Sequence, residues 1–76
     1  MNIDKMNEIT EILENNLKKE IEKNPTKTIY FLREKVLEKA KKEKLIKNYY
    51  FTRSRSTKGL YFGSCVGFDS MFKVIL

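Results

Sequence analysis

The segment TIYFLREKVLEKAKKEKLIK (residues 28–47) runs directly into NYYFTRSR (residues 48–55), and the fold turns on where its periodicity changes. In the first part Ile29, Leu32, Val36 and Ala40 recur at steps of three and four, with Leu37 beside them. That spacing lays one apolar stripe along a helix of 3.6 residues per turn. From Asn48 the period becomes two, and Tyr, Phe, Thr and Val, the residues strands prefer, become common. A helix over 28–47 followed by a strand is therefore predicted. No glycine marks the helix end.

Working outward, residues 3–23 predict a second amphipathic helix. Ile3, Met6, Ile9, Leu13, Leu17 and Ile21 form its stripe, and acids dominate its first turns, where they oppose the positive end of the helix dipole. Asn24-Pro25 separates the two helices, since the residue before proline is driven out of helical geometry. Asn24, Thr26 and Thr28 are the candidate caps for the second helix. The pair reads as a helical hairpin.

Downstream, residues 56–59 (Ser-Thr-Lys-Gly) read as a turn in which Gly59 takes positive φ, and residues 67–70 as a second turn. Residues 48–76 thus predict a three-stranded antiparallel meander. A four-residue first turn sets Arg55 opposite Leu60, Arg53 opposite Phe62 and Tyr49 opposite Val66. One face then holds Tyr49, Phe51, Leu60, Phe62 and Val66, and meets the helices. The other holds Tyr50, Thr52, Ser54, Tyr61, Gly63 and Cys65. A five-residue second loop adds Phe72, Val74 and Leu76 to the helix side and spares Lys73 from burial. The fold class is α+β, in the order α-α-β-β-β, as one domain over 1–76.

Composition narrows the chemistry. The chain has 76 residues and net charge +6, with no histidine and one cysteine. Without histidine it lacks the usual general base near neutral pH and the commonest metal ligand. One cysteine can build neither an intramolecular disulfide nor a structural zinc site. Cys65 reads as a small apolar strand residue, not a nucleophile. No phosphate-cradling glycine motif is present. No cofactor, metal site or catalytic residue is therefore expected, and metal-independent RNA cleavage by Arg, Lys and Tyr is the one reaction left open. Apolar runs are too short to span a membrane, and residues 1–5 carry no signal-peptide pattern, so a reducing cytoplasmic setting is expected.

The charge is unevenly spread. Residues 1–24 carry four lysines against six acids, while residues 25–47 carry eight basic side chains against three acids and residues 48–76 four against one. A basic C-terminal two-thirds implies an anionic partner, with a solvated Lys/Glu surface as the plain alternative. Lys35, Lys39 and Lys42 of the second helix, with Arg53, Arg55 and Lys58 at the tip of the first hairpin, are the candidate contacts to phosphates or to an acidic partner. Tyr50 and Tyr61 are candidates to stack bases on the open sheet face. A small nucleic-acid-binding protein, contacting DNA or RNA, is the leading expectation. The alternative is a protein-binding regulator or inhibitor, of the kind mobile elements encode, that holds an acidic surface or occupies a nucleic-acid channel. The last strand, from Met71 to Leu76, is apolar with only Lys73 charged; as the outer strand of a meander it would need cover, so a homodimer through it is expected.

Overall fold

The computed structural model describes residues 3–53, 58–63 and 71–76. Its elements are α1 (Ile3–Lys23), α2 (Ile29–Lys42), β1 (Asn48–Phe51), β2 (Leu60–Gly63) and β3 (Met71–Ile75). The helices form one layer and the antiparallel sheet the other, an α+β fold in the expected element order.

The helix stripes are the core. Ile9, Leu13 and Leu17 of α1 and Leu32, Val36, Leu37 and Ala40 of α2 are buried together, with Leu60, Phe62, Phe72 and Val74 of the sheet closing the cluster. Met6 and Ile29 pack at its margin, whereas Ile21, the last of the α1 stripe, stays exposed. Thr28 is the cap of α2: its hydroxyl accepts from the Phe31 N–H at 3.2 Å. Asn24 folds back instead, donating its backbone N–H to the Glu20 carbonyl at 2.9 Å.

The helix ends at Lys42, short of the expected Lys47. The Lys44 N–H donates to the Lys41 carbonyl (3.1 Å) and the Leu45 N–H to the Ala40 carbonyl (2.9 Å). These are the two bonds of a Schellman motif, and Lys44 takes the left-handed position, φ 62°, that glycine usually fills. Ile46 explains the break. Continued at 100° per residue, the helix would align Ile46 with Lys35, Lys39 and Lys42 on the solvent side. Reversing at Lys44 turns Ile46 into the core, where it is 3% exposed.

The strand order is β1-β3-β2, so the sheet is not a meander. β1 and β2 are not neighbours; each pairs antiparallel with β3, and the expected pairs Arg53–Phe62, Arg55–Leu60 and Tyr49–Val66 are replaced. Tyr49 and Leu60 both pair with Val74, and Phe51 and Phe62 both pair with Phe72. For the described residues the sorting of faces survives, because side chains alternate within each strand and the new register still sets Tyr49 and Leu60 beside Val74 and Phe51 and Phe62 beside Phe72. β3 is the most apolar strand: Met71, Phe72 and Val74 are all buried, while Tyr50 and Phe51 of β1 are exposed. The centre of the sheet satisfies both of its hydrogen-bonding edges at once. The expected homodimer through Met71 to Leu76 therefore loses its basis, because β1 and β2 already occupy the two edges of β3. Gly59 has positive φ as expected, 144°, and a Cβ there would stand 3.0 Å from Lys73 Cε. Ser54, Arg55, Ser56 and Thr57, the second turn, Cys65 and Val66 lie outside the described residues.

Candidate nucleic-acid interface

The candidate residues separate into two groups on opposite sides of the sheet. Lys35, Lys39 and Lys42 follow one another at steps of four and three, so they share one exposed stripe of α2. Lys41, Lys44 and Lys47, also exposed, extend this charge around the end of the helix and up to the start of β1. Lys35 forms an ion pair with Glu20 of α1 at 3.2 Å. It is the one lysine of these six with an ion-pair partner among the described residues.

The antiparallel hairpin brings a further lysine to this end. Lys5, in the first turn of α1, joins Lys41, Lys44 and Lys47 around an open concavity of about 510 Å³, with Leu45, Ile46 and Leu76 as its apolar lining. Lys5 belongs to the acidic segment of the sequence, and averaging charge by segment hides it. A signal was present nonetheless: Lys5 and Lys47 are equally far from Thr26 in the interhelical link, so a helical hairpin folds them to the same end.

On the other side of the sheet, Tyr50, Lys73 and Tyr61 form one row across all three strands, with Lys73 in the middle. The Lys73 ammonium donates to the Lys58 carbonyl at 2.7 Å and lies 5.3 Å from the centroid of the Tyr61 ring. One π-face of Tyr61 is thus taken by a cation. Tyr50 is the more open of the two tyrosines, at 50% exposure.

Arg53 and Lys58 do not meet at a hairpin tip. β1 ends beside Phe72, whereas β2 begins beside Val74, so Arg53 leaves one end of the sheet and Lys58 enters at the other. The expected 53–58 hairpin between β1 and β2 is therefore not formed, and the reason is again the central position of β3. Lys58 shares its end of the sheet with Lys47, because Asn48 and Leu60 pair with the adjacent residues Ile75 and Val74. Both side chains are exposed, as is Arg53; Arg55 lies outside the described residues.

Aromatic side chains gather along β1. Tyr30 stacks at 5.8 Å from Phe51 and 5.4 Å from Phe72, and Tyr49 packs edge-on against Phe72. The Tyr49 hydroxyl donates to the Glu38 carboxylate. Burial, reinforced by this bond and by the charge of Glu38, pushes the Tyr49 phenol well above its ordinary pKa. Tyr30, Phe31 and Phe51 remain substantially exposed. Asn48 Oδ1 accepts from the Tyr49 N–H at 2.9 Å. That N–H faces away from β3, so Asn48 covers part of the outer edge of β1.

Among the described residues no three His, Cys, Asp or Glu side chains come together to hold a metal ion, and no helix is long and apolar enough to cross a membrane. The chain matches no family model, no curated protein and no solved structure. Its chemistry has to be read from its own side chains.

Proposed function

We propose that this protein binds nucleic acid, with the end of the α2 helix and the turn after it as the phosphate-contacting surface. One observation carries the reading: six lysines between positions 35 and 47 are all exposed, and Lys5 and Lys58 stand at the same end of the fold. Lysines set close together on a surface repel one another. A polyanion relieves that repulsion and releases its own condensed counterions on binding. Lysine brings point charge without the bidentate geometry of arginine, so the contact follows the backbone and is largely indifferent to base sequence. Arg53 and Tyr50 lie away from this surface and contribute secondary contacts.

The test is titration with duplex DNA, single-stranded DNA and RNA at two salt concentrations. Affinity should fall with salt by a log–log slope of about −0.9 per neutralised phosphate on duplex and about −0.7 on single strands. Exchanging Lys39 and Lys42 for glutamine should flatten the slope while the circular dichroism spectrum is unchanged. Absence of binding to all three at low salt rejects the proposal.

The exposed aromatic group of Tyr30, Phe31 and Phe51 favours a second reading, a protein-binding regulator or inhibitor that engages an acidic surface. Interfaces concentrate their energy in aromatic anchors, and Lys27, 5.5 Å from the Phe31 ring, adds positive charge beside them. Under that reading Phe31→Ala and Phe51→Ala leave nucleic-acid affinity untouched and abolish the effect on the partner.

A further inference from the structure

We infer that the concavity between the start of α1 and the end of α2 is a nucleoside-phosphate site. The phosphates would be held by Lys41, Lys44 and Lys47, and the base would lie on Leu45 and Leu76. The macromolecular form of the inference, a strand presenting one of its nucleotides to this site, rests on the nucleic-acid reading above. The site itself does not, because a free nucleotide carries the same chemistry.

Size is the first argument. A concavity of about 510 Å³ falls within the range of roughly 300–1,000 Å³ typical of sites for small organic molecules, and far exceeds what a lone ion needs. The second is its polarity. Four lysines from both helices and the link between α2 and β1 make the rim cationic: Lys5 from α1, Lys41 from the last turn of α2, Lys44 from the Schellman turn and Lys47 from the link to β1, while the segment after β3 adds only Leu76. The lining between them is hydrocarbon, with Ile46 buried and Leu45 and Leu76 half-buried. A bare polyanion satisfies the rim and leaves the lining wet. An uncharged apolar ligand does the reverse. A nucleotide satisfies both, since it joins a polyanionic end to a flat, weakly polar ring.

The third argument is backbone geometry. The Lys44 and Leu45 N–H groups are already spent on the Lys41 and Ala40 carbonyls. This is therefore not an amide nest, and its anion affinity comes from lysine side chains alone. Charge-dominated binding of that kind is strongly salt-dependent, and its preference among bases is weak.

The experiment uses the full chain, uniformly labelled for methyl-detected NMR. It is titrated separately with ATP, inorganic triphosphate, a short single-stranded oligonucleotide and vesicles containing anionic phospholipid. A Lys41→Gln/Lys47→Gln double variant, which leaves the Schellman residue in place, is run alongside. ATP is expected to shift the methyl signals of Leu45, Ile46 and Leu76, and the oligonucleotide to shift the same signals and to compete with ATP. In the double variant the salt slope for the oligonucleotide should flatten by about 1.4, two contacts at about 0.7 each. That corresponds to about a sevenfold smaller loss of affinity between roughly 50 and 200 mM salt.

If ATP shifts these methyls and no oligonucleotide binds, the site stands for free nucleotides and the nucleic-acid reading falls. If the oligonucleotide binds with the same slope in the double variant and ATP moves none of the three methyls, the site is refuted while the nucleic-acid reading stands. Triphosphate binding as tightly as ATP, with the methyls unmoved by the base, also overturns the assignment. So does a response confined to anionic vesicles.

Discussion

Lys44→Gly tests the turn that shapes the lysine-rich end, and the sign of its effect is diagnostic. Lys44 sits at φ 62°, where an L-residue with a Cβ incurs roughly 1–2 kcal/mol of steric cost. Glycine removes that cost, but it adds backbone freedom to the unfolded chain, which returns about 0.5–1 kcal/mol. The net gain should be about 0.7 kcal/mol, an upward shift of about 3–6 °C in Tm for a domain of this size. Had the helix run on to Lys47, the same substitution would fall in a helix interior and destabilise by about 0.5–1 kcal/mol. The assay is urea denaturation followed by circular dichroism, accepted only where the m-value is unchanged, so that the midpoint reports stability. Lys42→Gly is the control. Its backbone is helical, and it should lose about 1 kcal/mol. A Lys44→Gly protein less stable than wild type would refute the left-handed turn. With it would go the account of how Ile46 reaches the core. The variant also removes one lysine from the concavity, so a more stable protein with weaker ATP binding is the combined expectation.

Val74→Pro should unfold the domain, because Val74 lies in the central strand between Tyr49 and Leu60; a folded variant, judged by circular dichroism and sedimentation, would return β3 to an edge. Tyr49 gives a pH dependence. Its phenol is held protonated in the fold by burial and by Glu38, so its stabilising contribution is complete below about pH 10, the unfolded value, and is lost as pH rises through the raised folded value. The denaturation midpoint should therefore fall more steeply above about pH 10 in wild type than in Tyr49→Phe, and parallel curves would dismiss the raised phenol pKa.

The parts of this protein legible in the sequence are those governed by local repetition. Leu32, Val36 and Ala40 announce one face of α2, and Ile9, Leu13 and Leu17 one face of α1, because helical period alone assigns them. Parity likewise sorts Phe51, Phe62, Phe72 and Val74 from Tyr50, Tyr61 and Lys73 within each strand, and the register with β3 keeps the two sets on opposite faces. The Lys35, Lys39 and Lys42 stripe follows from the same rule. Strand order does not, because parity is blind to neighbours. β3 moves to the centre because its apolar residues and both of its backbone edges are satisfied only there, a property of the whole sheet. The end of α2 is equally non-local: no capping residue announces it, and it is set by the gain from burying Ile46. These two decisions separate Arg53 from Lys58 and complete the turn that, in the hairpin, groups Lys44 and Lys47 with Lys5. Tertiary structure thus determined which of the many cations share a surface, since convergence of side chains depends on distances through space that no periodicity records.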